Sequence, residues 1–164
     1  MEIERKFTVK ELPKDLEKYT CHIIEQAYLN TDPVVRVRRQ DDEYYMTYKG
    51  KGLLAREEYN LPLNEPSYYH LLKKADGNVI SKKRYVIPIT NPVFASDYAK
   101  SIDQTRLFVE LDVFDAPFAP LIIAEVEFPS EDMANAFEPL DWFDQDVTHD
   151  PAYHNSNMSK KVFS

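Results

Sequence analysis

Charged residues recur at a spacing of two along nearly every extended stretch of this chain. Glu2, Glu4 and Lys6 alternate with Ile3, Arg5 and Phe7, and Arg36 and Arg38 flank Val37. The same spacing relates Arg56 to Glu58, Lys82 to Arg84, Glu110 to Asp112, and Glu125 to Glu127. Side chains alternate across a β-strand, so each pair projects to one side. Any one pair alone is explained by a half-buried strand whose polar face meets water. Two features of the set argue otherwise. Glu125 and Glu127 interrupt Leu121-Ile122-Ile123-Ala124-Glu125-Val126-Glu127-Phe128, a segment otherwise apolar enough for a central strand. Several pairs also carry a single sign, and like charges on one face repel. Such clustering calls for a ligand of opposite sign. Grouped carboxylates suit hard divalent cations such as Mg²⁺ or Mn²⁺. Grouped arginines and lysines suit phosphate oxygens. Both sets facing one lumen fit a metal-bound polyphosphate.

Positioning such a set requires strands, and the period of two is widespread. Strands are expected over 2–9, 20–29, 34–40, 43–49, 53–63, 79–89, 105–114 and 121–128. Turn signals at Asn30-Thr31-Asp32-Pro33, Gln40-Asp41-Asp42 and Lys49-Gly50-Lys51-Gly52 separate several of them. Short helices are expected over 13–19, over 65–75 after Asn64 with Gly77 just beyond, over 131–137 after Ser130, and from 151 onward. The expected class is α+β, mostly β: an antiparallel barrel of about eight strands, closed, with a few flanking helices. An interior of that size holds side chains and one small ligand.

The 164 residues suit one domain spanning 1–164, and no Gly-, Ser- or Pro-rich linker divides them. A net charge of -8 does not provide the broad basic face that binds DNA, so a polyanion must be held at a concentrated site. No apolar run reaches the length of a membrane span. Glu2, Glu4, Arg5 and Lys6 occupy the place where a signal peptide needs an apolar core, and the single Cys21 cannot form an internal disulfide. The expected setting is cytoplasmic.

The motifs, taken in order, resemble the CYTH proteins, or triphosphate tunnel metalloenzymes. Glu2-Ile3-Glu4-Arg5-Lys6 resembles their N-terminal Glu-x-Glu-x-Lys, and Gln26-Ala27-Tyr28-Leu29 their Gln-Gly-Tyr-Leu with Ala27 for glycine. Arg36-Val37-Arg38, Thr47-Tyr48-Lys49-Gly50, Arg56-Glu57-Glu58 and Lys82-Lys83-Arg84-Tyr85 resemble the cationic strands. Glu110-Leu111-Asp112 and Glu125-Val126-Glu127 resemble the acidic strands, and Asp146-Val147-Thr148-His149-Asp150 with Tyr153 and Asn155 the closing segment. Departures from the pattern are Asn60 for a second Glu, Asp146 for Glu, Phe108 for Trp, and a longer stretch over 91–104.

The resemblance implies a triphosphate tunnel that acts on a triphosphate with Mg²⁺ or Mn²⁺. It implies Glu2, Glu4, Glu125 and Glu127 as main metal ligands, with Glu110 and Asp112 as further ligands or support. It implies Lys6, Arg36, Arg38, Lys49, Arg56, Lys82 and Arg84 as phosphate-binding cations, and Lys6, Tyr28 and Glu58 as candidate catalytic residues. For Tyr28, a wall tyrosine with a satisfied hydroxyl is an equal reading. Hydrolysis of inorganic tripolyphosphate leads. A class IV adenylate cyclase and a non-catalytic polyphosphate or nucleotide sensor are the alternatives. The expected partner is the triphosphate itself, with a homodimer left open and neither DNA nor membrane expected. His22, His70, His149 and His154 lack metal-ligand spacing and read as surface or loop residues. Tyr44, Tyr45 and Tyr48 read as wall packing, Cys21 as a packed thiol, and Lys160 and Lys161 as a solvated terminus.

Overall fold

The period-two pattern becomes a single antiparallel sheet curled on itself. The computed structural model describes residues 1–98 and 106–163. Among them the strands are β1 (Glu2–Val9), β2 (Thr20–Thr31), β3 (Val34–Gln40), β4 (Glu43–Lys49), β5 (Ala55–Arg56), β6 (Glu58–Leu63), β7 (Asp76–Ile89), β8 (Leu107–Phe114), β9 (Ile122–Glu127) and β10 (Phe143–Asp146). Helices α1 (Glu65–Leu72), α2 (Glu131–Ala136) and α3 (Asn155–Met158) flank them. The sheet runs β10-β1-β9-β8-β7-β2-β3-β4-β6, and β5 pairs with β1.

That last pairing nearly closes the barrel. Residues 55–63 form β5 and β6, separated at Glu57, where one strand was expected. β6 pairs with β4 along Lys49↔Glu58 to Tyr44↔Leu63, while β5 crosses to β1 at Glu2↔Arg56 and Ile3↔Ala55. Counting β5 and β6 as one wall, and setting β10 aside, gives the expected eight. The seam closes only at the start of β1, because β10, an unexpected tenth strand, takes the β1 edge at Phe7↔Asp146 and Val9↔Phe143.

The two faces of each strand have separate fates. Phe7, Val109, Leu111, Ala124 and Val126 point outward into a core shared with Phe128, Met133, Phe137 and Phe143. Each such side chain, fully buried, contributes about 1.5–3 kcal/mol. Ser130 caps α2 by accepting from the Met133 amide, which seats Met133 and Ala134 in that core. On the other side, Asn64 and Ser67 form a capping box that starts α1 and brings Tyr68 into full burial.

The inward rows begin apolar and become charged. Val34, Ile80, Phe114 and Ile123 each stand two residues from Arg36, Lys82, Asp112 and Glu125 on the same strands. With Tyr28, Phe118 and Met158 of α3 they form a second buried cluster that fills one end of the barrel. Above it, the charged residues line the lumen.

Several boundaries differ from expectation. The helix expected over 65–75 stops at Leu72, and Gly77, with φ 72, belongs to the start of β7. Residues 13–19 form only a 3₁₀ turn at Leu16–Lys18, and the C-terminal helix shrinks to a 3₁₀ turn at Pro151–Tyr153 plus α3. Residue 105 and most of the second half of the long 91–104 stretch lie outside the described residues; within the described part, Phe94 bridges to Phe137. No described helix is long and apolar enough to cross a membrane.

Candidate active site

Strand register assembles the charged residues into a cavity of about 360 Å³. Glu2, Glu4, Lys6, Tyr28, Arg36, Arg38 and Lys49 line it, as do Arg56, Glu58, Lys82, Arg84, Glu110, Glu125 and Glu127. Of the residues singled out in the sequence, only Asp112 is absent from the lining. It lies fully buried beneath Lys82 and Arg84.

The acids occupy one arc of the wall. Pairing of β1 with β9 sets Glu4 opposite Glu127 and Lys6 opposite Glu125, and pairing of β8 with β9 sets Glu110 opposite Glu125. Lys6 Nζ lies 3.5 Å from Glu125 Oε1 and donates to the Tyr153 carbonyl at 3.1 Å. Burial, then the charges of Glu125 and Glu2, push the Glu4 carboxyl up to about 8. Burial and the neighbouring carboxylates Glu2, Glu110 and Glu58 also raise Glu127. Among the described residues, the cavity's ion pairs engage Glu2, Glu58, Glu110, Asp112 and Glu125, and none engages Glu4 or Glu127.

The cations occupy the facing arc. Arg84 makes a two-pronged bond to Asp112, Nε to Oδ1 at 2.7 Å and Nη2 to Oδ2 at 2.9 Å, and reaches Glu110 at 2.8 Å. Lys82 Nζ lies 2.7 Å from Asp112 Oδ2. Burial, with Arg84 and Arg38 beside it, pulls the Lys82 ammonium down to about 7 against the attraction of Asp112. Asp112 therefore anchors two cations at once.

Arg36 and Arg38 lack any such anchor. Arg38 Nε donates to Gln26 Oε1 at 2.8 Å, and Arg36 Nη2 to Thr47 Oγ1 at 3.0 Å. Both are buried, and Arg36 Nε has no hydrogen-bond partner. Among the described residues no ion pair reaches either arginine. Such buried charge normally demands a partner.

Between the arcs, Lys49 lies 2.9 Å from Glu2 and 3.3 Å from Glu58. Burial opposes ionisation of Glu58, but a hydrogen bond with Glu2 and the Lys49 charge bring its carboxyl down to about 2. Glu2 moves the other way, raised by burial and by Glu58. Tyr28 is buried, and its hydroxyl accepts from Gln26 Nε2 at 3.3 Å.

The cavity also holds residues that the charge pattern did not single out as site members. Gln40, Glu43, Tyr45 and Asn60 continue the inward rows of β3, β4 and β6 toward the open mouth. Extending the spacing of two from Arg38, Lys49 and Glu58 would have found them; Tyr45 is a lining residue rather than wall packing. Asn155 and Ser156 arrive from the C-terminal segment, where no strand periodicity exists to announce them. Asn155 Oδ1 accepts from Gln26 Nε2 and Lys82 Nζ, each at 3.3 Å. Two further expectations are corrected. His154 is buried, its Nε2 3.2 Å from the Thr148 carbonyl oxygen, because α3 folds over the barrel end. Cys21 is exposed rather than packed.

The donor set bears on a metal ion. Among the described residues no three of His, Cys, Asp and Glu converge as a ready metal-binding group. The acids instead line the wall, with Glu4 and Glu127 directly opposed and uncompensated. Mg²⁺ suits that arrangement, since it keeps several waters and takes one or two protein carboxylates plus substrate phosphates. The residues present fit a hard divalent cation bound together with a phosphate chain.

A nearly closed antiparallel barrel with a charged lumen defines the class of protein, and the comparisons narrow it. The chain belongs to the CYTH domain family, whose model matches residues 1–134. It is 37% identical over 164 residues to an inorganic triphosphatase of Nitrosomonas europaea, covering 98% of each chain. It is 32% identical over 166 residues to an inorganic triphosphatase of Acetivibrio thermocellus, covering 99% of this chain and 95% of the relative. The fold matches the crystal structure of an inorganic triphosphatase with a TM-score of 0.68 at 33% identity, over 99% of this chain and 96% of that one.

Proposed function

We propose that this chain hydrolyses inorganic tripolyphosphate with the help of a divalent cation. The observation that carries the reading is the double vacancy of charge in one lumen. Among the described residues, no ion pair gives Glu4 or Glu127 a cation, or Arg36 or Arg38 a carboxylate. A polyphosphate accompanied by a metal ion satisfies both. The two relatives called inorganic triphosphatases, matched over almost their whole length, support the choice of substrate.

Glu2, Glu4, Glu125 and Glu127 would hold Mg²⁺ or Mn²⁺, with Glu110 alongside. Bound there, the ion supplies charge neutralisation and polarisation of phosphoryl oxygens. Asp112 takes a different part: doubly bonded to Lys82 and Arg84, it positions these cations rather than ligating metal. Lys82, Arg84, Arg36, Arg38, Lys49 and Arg56 grip the phosphate chain. This orientation readies the terminal phosphorus for in-line attack by water. One P–O anhydride bond breaks, orthophosphate and pyrophosphate form, and the water's proton passes to a carboxylate. Glu58, held ionised beside Lys49, is suited to orient the water. Lys6, kept charged by Glu125 and Glu4, stabilises negative charge on the reacting phosphate, and the Tyr28 hydroxyl helps to orient the chain.

The test is a phosphate-release comparison of tripolyphosphate, pyrophosphate, ATP and thiamine triphosphate. The expected result is the highest kcat/KM on tripolyphosphate. Tight tripolyphosphate binding with no release from any of the four would make the protein a sensor instead.

A further inference from the structure

Beside the barrel's apolar plug a second cavity, of about 350 Å³, shares Val34, Arg56 and Ser156 with the main one. Lys51 and Lys160 line it and add their charges to that of Arg56, while Asp32 is its one carboxylate. Among the described residues, no ion pair engages Lys51, Lys160 or Asp32.

Both lysines are exposed at their tips but rooted in fixed backbone. Lys51 lies between Gly50, whose amide donates to the Glu57 carbonyl at 3.0 Å, and Gly52, whose φ of 133 favours glycine. A Cβ at Gly52 would collide with the Ala55 carbonyl oxygen, so this turn is tied to one shape. Lys160 follows Ser159, whose carbonyl accepts from the Asn78 amide at 2.7 Å, and Asn78 Nδ2 also donates to the Lys161 carbonyl at 2.7 Å. Two independently anchored segments thus bring cations to a vestibule that shares Arg56 with the phosphate-gripping lumen.

We propose that the Lys51–Arg56–Lys160 vestibule is a second phosphate subsite, separate from the one that holds the reacting chain. The inference rests on the tunnel being a polyphosphate site. Arg56 lines both cavities, so a phosphate in the vestibule and the chain in the lumen would meet the same guanidinium. The ligand is a phosphate group from one of two sources, an additional phosphate of a chain longer than three or the released orthophosphate. Net positive charge in a partly enclosed, rigid setting favours either.

The test uses the full chain and a Lys51→Ala/Lys160→Ala variant, whose changes lie outside the catalytic lining and at exposed side chains. Calorimetric titrations measure tetrapolyphosphate, orthophosphate and tripolyphosphate binding, and kinetics measure tripolyphosphate turnover with and without added orthophosphate. The expected result is about 10-fold or greater weakening for tetrapolyphosphate or orthophosphate, with tripolyphosphate kcat and KM nearly unchanged. Weakening confined to tetrapolyphosphate assigns the subsite to chain extension. Weakening confined to orthophosphate, with relief of product inhibition, assigns it to the leaving product. Unchanged binding of both, or equal loss for all three ligands, overturns the proposal. A wild type that does not hydrolyse tripolyphosphate counts against the hydrolase reading and leaves this binding comparison intact.

Discussion

The two arcs of the lumen solve the problem of buried charge in opposite ways. Around Asp112 the charges are mutually satisfied, with one carboxylate holding Lys82 and Arg84 through bonds of 2.7–2.9 Å. Elsewhere in the lumen, Glu4 and Glu127 stand opposite each other on β1 and β9 with no ion pair among the described residues, and Arg36 and Arg38 rely on neutral partners. A satisfied cluster is structure already complete; an unsatisfied one is structure awaiting a ligand. The contrast separates residues that share a charge and a spacing in the sequence, and it predicts that their substitutions fail differently.

The largest effect is expected at the satisfied cluster. Asp112→Asn leaves Lys82 buried without its counter-charge and takes from Arg84 its two-pronged partner, and should cost about 3–5 kcal/mol of stability, read by denaturant unfolding. Glu4→Gln should have the reverse sign in metal-free protein, raising stability by removing an uncompensated carboxylate. Equal destabilisation by the two would erase the distinction between the arcs.

Next comes catalysis. Glu127→Gln nearly preserves shape while removing a charge from the unsatisfied pair, and kcat should fall by about 10²-fold or more. The fold, followed by circular dichroism and thermal melting, should persist. Wild-type turnover by this variant would remove Glu127 from the working set.

Arg38→Ala should be somewhat milder, lowering kcat/KM by about 10–100-fold through both binding and turnover, because phosphate contacts act in ground and transition states alike. Loss of kcat with KM untouched would mean that Arg38 acts only in the transition state.

The smallest effect concerns the segment that closes the barrel end. Burial, with the charges of Lys6 and Arg56, brings His154 down to about 4. The unfolded chain takes up the proton near pH 6.5 and the folded one only near 4. Stability tied to this group is therefore present above about pH 6.5 and lost as pH falls toward 4. By pH 5 the loss should reach about 1–2 kcal/mol, and His154→Gln should flatten that part of the profile. An unchanged acid limb in the variant would assign the loss to other groups.

Much of this was legible in the sequence because strand geometry is periodic. Glu2, Glu4 and Lys6 share a parity, as do Arg36 and Arg38, and parity decides which face a side chain takes. The register that brings Glu4 opposite Glu127 depends on how β1 meets β9, more than a hundred residues away, and no local pattern encodes it. For the same reason Asp112 read as a lumen acid like Glu110. Parity put them on one face, but depth along the strand set Asp112 beneath Lys82 and Arg84, which cover it. The division of 55–63 into two strands followed from having two different neighbours, which one continuous apolar-polar pattern does not reveal. Asn155, Ser156 and His154 lay outside any periodic element, so their arrival over the barrel end came only with the tertiary fold.

The central claim is that the unsatisfied arcs are completed by a metal-bound phosphate chain. Its most direct test is orthophosphate release from tripolyphosphate by the purified protein in excess chelator, then after adding back Mg²⁺ or Mn²⁺. The account predicts no release above background in chelator and recovery with either or both ions, since only the ion neutralises the phosphate chain's charge beside the acidic wall. Equal turnover in excess chelator would contradict it.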